Sequence, residues 1–146
     1  MIGLLQRVTG ASVRIDGRIE AEIGNGLLVL VGVTPADGDA QAERLLQRLL
    51  DYRAFADEQG RMNRSLRDIG GGLLLVPQFT LAADTRQGNR PGFSTAAPPE
   101  QARAQFEYLL AQARAQWPQT AAGVFGADMK VALINDGPVT FWLEVD

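Results

Sequence analysis

Val13 and Ile15 alternate with Arg14 and Asp16, and past Asp16-Gly17 the alternation resumes at Ile19, Ala21 and Ile23. Successive side chains of a strand point to opposite faces, so a period of two marks a half-buried strand, and Asp-Gly between two such runs marks a hairpin. After a second turn at Gly24-Asn25-Gly26 the run Leu27 to Val33 is almost unbroken in apolar residues. Such a run predicts a strand covered on both faces. The period then changes. Ala42, Leu45, Leu46, Leu49 and Leu50 recur at helical spacing among Gln41, Glu43, Arg44, Gln47 and Arg48, with Asp39 placed to cap.

"RAFADEQGRMN" predicts a short strand and a turn at Glu58-Gln59-Gly60, and Gly70 to Gly72 lead into a buried strand, Leu73 to Val76. A loop follows over Ala82 to Ala97. "PPEQARAQFEYLLAQARAQW" predicts a second helix, opened by Pro98 and Pro99 and closed by Pro118, with Ala102, Phe106, Leu109, Leu110, Ala113 and Trp117 as its apolar stripe. "MKVALIND" and "VTFWLEV" predict two strands split by Gly137-Pro138. The expected fold class is α/β: a single compact domain over residues 1–146, with a mixed or antiparallel, barrel-like β-sheet and two packed helices. No repeat, linker or low-complexity segment interrupts it.

Composition narrows the chemistry. A chain of 146 residues buries roughly two-thirds of its unfolded surface, so it needs no staple. It has no cysteine and no histidine. Disulfides, thiolate nucleophiles, Ser-His-Asp arrangements and His/Cys zinc sites are therefore excluded. The net charge of −3 argues against sequence-independent binding along a nucleic-acid backbone, while leaving room for a nucleic-acid end held by local arginines. The opening residues carry Arg7, Arg14 and Asp16 and do not read as a signal peptide, and no window approaches a membrane span. The expected location is the cytoplasm.

Several stretches invite chemistry and have plainer readings. "ADGDA" at 36–40 reads better as a turn and helix cap than as a cation loop. "GGG" at 70–72 lacks the following Lys and helix of a phosphate loop. Asp84, Asp128, Asp136 and Glu144 are acids that nothing in the sequence pairs in one cleft. "PQFTL" at 77–81 is more specific: Pro77 has no N–H and is expected to end sheet pairing, which would free the N–H groups of Gln78, Phe79 and Thr80 to face a ligand. Thr80 has no evident base to activate it, and an ordinary strand end accounts for the same residues. "NDGPVT" at 135–140 forces a break between strands, and an ordinary hairpin turn accounts for that too.

Taken together, "PQFTL", "ADTRQGNRPGFSTAAPPE" and "GVFGADMKVALINDGPVTFWLEVD" closely resemble the D-aminoacyl-tRNA deacylase family. "LLQRVTGASVRIDG", "IGNGLLVLVGV" and "FADEQGRMNRSL" fit it as well, so the resemblance runs the length of the chain. It implies hydrolysis of the ester between a D-amino acid, or glycine mischarged on alanine tRNA, and the 3′-terminal adenosine of tRNA. It implies a homodimer, no cofactor and no metal, with aminoacyl-tRNA as substrate. Gln78, Phe79 and Thr80 would form the catalytic pocket strand. Gly137 and Pro138, joined by a cis bond, would reach into the partner's pocket and reject L-amino acids, with Arg7 steadying the Gly-Pro carbonyls. Phe125 and Met129 would line the adenine side. The attacking water would be activated with help from the ribose 2′-OH rather than by a side-chain nucleophile. Arg86 and Arg90 stand either as tRNA-backbone contacts or as solvated loop charges.

One position departs from the pattern. Most members have serine where this chain has Pro77, and a related animal group with a PQATL-like motif accepts L-alanyl-tRNA through a trans Gly-Pro. Phe79 and "NDGPVT" follow the D-specific pattern. The other alternative is a non-catalytic dimeric module that binds adenosine or an amino acid.

Overall fold

The computed structural model describes residues 1–146. A long strand, β1 (Ile2–Ile15), pairs with β2 (Arg18–Ile23) and β3 (Gly26–Gly32) along one edge, both antiparallel. The Asp16-Gly17 hairpin falls where the alternation ends, both residues at positive φ. Helix α1 (Asp39–Asp51) follows, then a small hairpin of β4 (Phe55–Ala56) and β5 (Met62–Arg64), then a one-turn helix, α2 (Leu66–Ile69). β6 (Gly72–Pro77) joins β3 in parallel, and a 3-10 turn (Phe79–Ala82) leaves its end. After a loop come α3 (Pro99–Gln116), β7 (Thr120–Ala122), parallel to β6, and the 15-residue β8 (Lys130–Glu144).

Alternation along the central strands sorts side chains onto two faces. Leu5, Leu27, Val29, Val31, Leu73 and Leu75 face α1 and α3, whose Leu45, Leu46, Leu49, Phe106 and Leu109 complete the main core. Val8, Val13, Leu28, Leu74 and Val76 point the other way into a second apolar cluster, where β2 curls against β6 and β7. Both faces of β3 and β6 are thus covered, as their unbroken apolar runs predict.

Four expectations are corrected. Asp39 is the first residue of α1 rather than its cap; Gly38 takes that place, its N–H donating to Gln41 Oε1 at 2.9 Å. A third helix, α2, is present. Its capping box is visible in the sequence as Ser65-x-x-Asp68, with the Ser65 N–H on Asp68 Oδ2 (2.8 Å) and the Asp68 N–H on Ser65 Oγ (3.2 Å). The two C-terminal strands are a single strand. Both halves run antiparallel to β1, Thr140–Glu144 beside Ile2–Gln6 and Lys130–Asn135 beside Val8–Arg14, so the chain bulges at Gly137-Pro138 without reversing.

The fourth concerns Pro77, which ends the pairing on one edge of β6 only. It sits opposite Val31, and the next N–H, of Gln78, donates to Val31 O at 2.8 Å. Successive strand amides point to opposite edges, so the Pro77 nitrogen faces the β7 side. The β7 ladder runs as far as the Gly123 N–H on Leu75 O at 2.9 Å, and its next bond would need an N–H at residue 77, so Pro77 ends pairing on that edge alone.

Candidate active site

The bulge in β8 is built around Arg7. Gln6 pairs with Thr140 and Val8 with Asn135, so the four residues Asp136 to Val139 stand opposite Arg7 alone. Its largely buried guanidinium donates from Nε to the Asp136 carbonyl (3.0 Å) and from Nη1 to the Ala54 carbonyl (2.9 Å). Asp136 Oδ2 lies 3.6 Å from Nε. Arg7 therefore braces the carbonyl that precedes Gly137, not the carbonyls of the Gly-Pro pair itself. Sequence reasoning passed over two parts of this frame. Asn135 Oδ1 accepts the Val139 N–H at 3.0 Å and its Nδ2 donates to Thr140 Oγ1 at 2.9 Å, an Asx-type clasp for which Asn ahead of Gly-Pro is a readable signal. The Ala54 carbonyl comes from the far side of α1 and carries no local signal. Gly137 has φ +136, and the Gly137–Pro138 bond is cis. Both residues are exposed at the tip.

The end of β6 forms a second feature. Pro77, Phe79, Ala97, Pro99, Ala102, Phe125 and Gly126 line a mostly apolar cleft of about 200 Å³. The Arg103 guanidinium of α3 lies over the Phe125 ring, its central carbon 4.9 Å from the ring centre. Met129 stands behind Pro77: a Cβ on Gly123 would lie 2.6 Å from Met129 Sδ and 3.5 Å from Pro77 Cδ, so only glycine lets these side chains meet there. Of the three N–H groups expected to be free, that of Gln78 is taken by Val31. Those of Phe79 and Thr80 open the 3-10 turn and have no acceptor within the chain. The Gln78 amide donates to Thr80 Oγ1 at 2.5 Å.

The structure thus gathers Pro77, Phe79 and Phe125 at one cleft with Met129 behind it, and Arg7, Gly137 and Pro138 at a separate corner. Neither Gly137 nor Pro138 lines the cleft. Arg86 and Arg90 lie together in a polar groove of about 450 Å³ with Asp84, Gln87, Gly92 and Ser94. Arg86 forks onto Asp84 at 2.9 and 2.8 Å, and this pairing holds the Asp84 carboxyl well below the usual carboxylate range. The other acids also have separate neighbours: Lys130 for Asp128 (3.1 Å), Arg7 for Asp136, and the Trp142 indole for Glu144 (3.5 Å). No three acidic side chains lie together as a metal cluster would require. No helix is long and apolar enough to cross a membrane.

The fold places the chain in a known structural class. Over 100% of this chain and 99% of the other, it superposes with TM-score 0.95 and 38% identity on the solved c-Myc DNA Unwinding Element Binding Protein. It also shares its fold, at TM-score 0.88 and 14% identity, with a probable eukaryotic D-amino acid tRNA deacylase, covering 99% of this chain and 98% of that one. The family model described as D-Tyr-tRNA(Tyr) deacylase matches residues 4–144. D-aminoacyl-tRNA deacylases of Pseudomonas putida (62% identity over 145 residues, 99% of this chain and 100% of theirs) and Stutzerimonas stutzeri (63% over 144 residues, 99% of each) are similar throughout. The chain belongs to the D-Tyr-tRNA(Tyr) deacylase family.

Proposed function

We propose that this protein hydrolyses the ester joining a D-amino acid, or glycine mischarged on alanine tRNA, to the terminal adenosine of tRNA, and that it does so as a homodimer. Family membership over nearly the whole chain carries the assignment. The geometry supports a mechanism. Adenine fits the apolar cleft between Phe79 and Phe125, with Met129 behind Pro77. Water attacks the ester carbonyl carbon, the bond to the ribose oxygen breaks, and that oxygen leaves with a proton relayed by the neighbouring 2′-OH. The unpaired N–H groups of Phe79 and Thr80 are suited to receive the charge that develops on the carbonyl oxygen. An aminoacyl ester is labile, so positioning and charge stabilisation suffice without a side-chain nucleophile.

Chirality is enforced in this proposal by the Gly137-Pro138 tip of the partner subunit. Within one chain the tip and the cleft are separate, the tip is exposed, and its base is clamped by Arg7 and Asn135. A wall held this way rejects an L-side chain by collision. The outer edge of β8 has no strand partner and exposes Ile134 and Trp142, which suits a contact with a second copy.

The test is paired hydrolysis of D-Tyr-tRNA and L-Tyr-tRNA, with and without EDTA. Loss of the D-ester alone, indifferent to chelator, is expected. Loss of the L-ester as well would point to the L-alanine-tolerant type, whose PQATL-like motif has proline at the position of Pro77. Stoichiometric binding without turnover of either ester would leave a non-catalytic module.

A further inference from the structure

Resting on the deacylase assignment, we propose that the Phe79-Phe93 pair and the Arg90 groove form a track for the single-stranded nucleotides that precede the terminal adenosine. Phe79 lines the adenosine cleft and is 52% exposed. Its ring centre lies 5.3 Å from that of Phe93, itself 45% exposed. Folding leaves two large apolar rings in water side by side, outside both core clusters. The chain neighbours of Phe93, Gly92 and Ser94, line the polar groove, so the aromatic pair joins the cleft, which Phe79 lines, to the segment that borders the groove. The groove loop is pinned by reciprocal Asp84–Gly92 backbone hydrogen bonds of 2.7 and 2.9 Å.

Charge in the groove identifies the occupant. Asp84 neutralises Arg86, whereas Arg90 has no carboxylate partner. The chain carries −3 overall, so a polyanion is held only where cations are gathered locally. Exposed aromatic faces beside an unpaired guanidinium match what single-stranded nucleic acid needs: a face for a base to stack on and a charge for its phosphate. A strand whose last base enters the cleft passes Phe93 next and brings its phosphates to Arg90.

The experiment measures binding of uncharged tRNA across a salt series for the wild type, Arg90→Gln and Phe93→Leu. Alongside it runs hydrolysis of D-Tyr-tRNA and of the D-tyrosyl ester of adenosine, which has no phosphate. Arg90→Gln is expected to lower the salt slope of tRNA affinity by about one. Phe93→Leu is expected to weaken tRNA binding roughly tenfold. In both variants the ratio of kcat/KM for D-Tyr-tRNA to that for the adenosine ester should fall about tenfold. Variants that bind tRNA like an active wild type would overturn the track and leave the deacylase intact. Equal losses on both esters would also overturn it, assigning the residues to the cleft alone. A wild type that hydrolyses neither ester would refute deacylation itself, and the track with it.

Discussion

Gly137→Ala tests the corner most directly. The backbone there has φ +136, a conformation L side chains rarely adopt, and holding alanine in it costs of order 1–3 kcal/mol. The new Cβ would stand 2.7 Å from Val139 Cγ2 and 3.1 Å from Arg7 Nη2. Crowding of that kind costs about another 1–3 kcal/mol unless the backbone moves. The tip is exposed and has room to relax, at the expense of the Arg7–Asp136 and Asn135–Val139 bonds. A stability loss of about 2–3 kcal/mol is expected by urea unfolding, or a Tm lower by roughly 4–12 °C. In the hydrolysis assay the ratio of kcat/KM for D-Tyr-tRNA to that for L-Tyr-tRNA should fall at least about tenfold, since misplacing the wall by even 1.4 kcal/mol of discrimination gives that factor. Wild-type stability would refute the crowding. Lost stability with an unchanged D/L ratio would refute the corner as the chirality wall.

Thr80→Ala should keep at least about a tenth of the wild-type kcat, because the proposed donor at this position is the backbone N–H; complete loss in a folded, tRNA-binding variant would restore the hydroxyl as a nucleophile. Sedimentation should give twice the 15.8 kDa chain mass; a fully active, chirally selective monomer would exclude a partner's corner. The Met1 amine is buried against Asp37 Oδ1 at 2.5 Å and also donates to Val145 O at 2.7 Å. Asp37→Asn should therefore cost about 3–5 kcal/mol by urea unfolding, and an unaltered midpoint would contradict that burial. Tyr108 on α3 donates to Glu43 of α1 at 2.5 Å, which pushes its phenol from 10.0 up to about 12. The folded state holds this proton more tightly than the unfolded chain, so the contribution is complete below pH 10 and is lost as pH rises towards 12. Tyr108→Phe should flatten the fall in stability across that window; identical pH profiles would deny the link.

Local patterning was enough for much of the fold. The Asp16-Gly17 hairpin, the double-sided burial of β3 and β6 and the leucine face of α1 follow from side-chain direction, which depends on neighbours within a turn or a pleat. α2 was legible in its capping box and was passed over. The family motifs also marked where the cleft and the tip lie, because they are contiguous in sequence.

Other features belong to the tertiary structure. Which edge of a strand a proline ends depends on which way its nitrogen faces; at Pro77 that is the β7 edge, while pairing with β3 continues. The Gln78 N–H is spoken for because β3 pairs with β6 as far as Pro77, whereas β7 pairs only as far as Leu75. Gly137-Pro138 is a bulge rather than a turn because β1 is long enough to pair with both halves of β8. Arg7 meets Ala54 and Asp136 across separations of 47 and 129 residues. Sequence periodicity records the face on which a residue lies, whereas these contacts depend on which edge meets which. That is settled when the strands assemble.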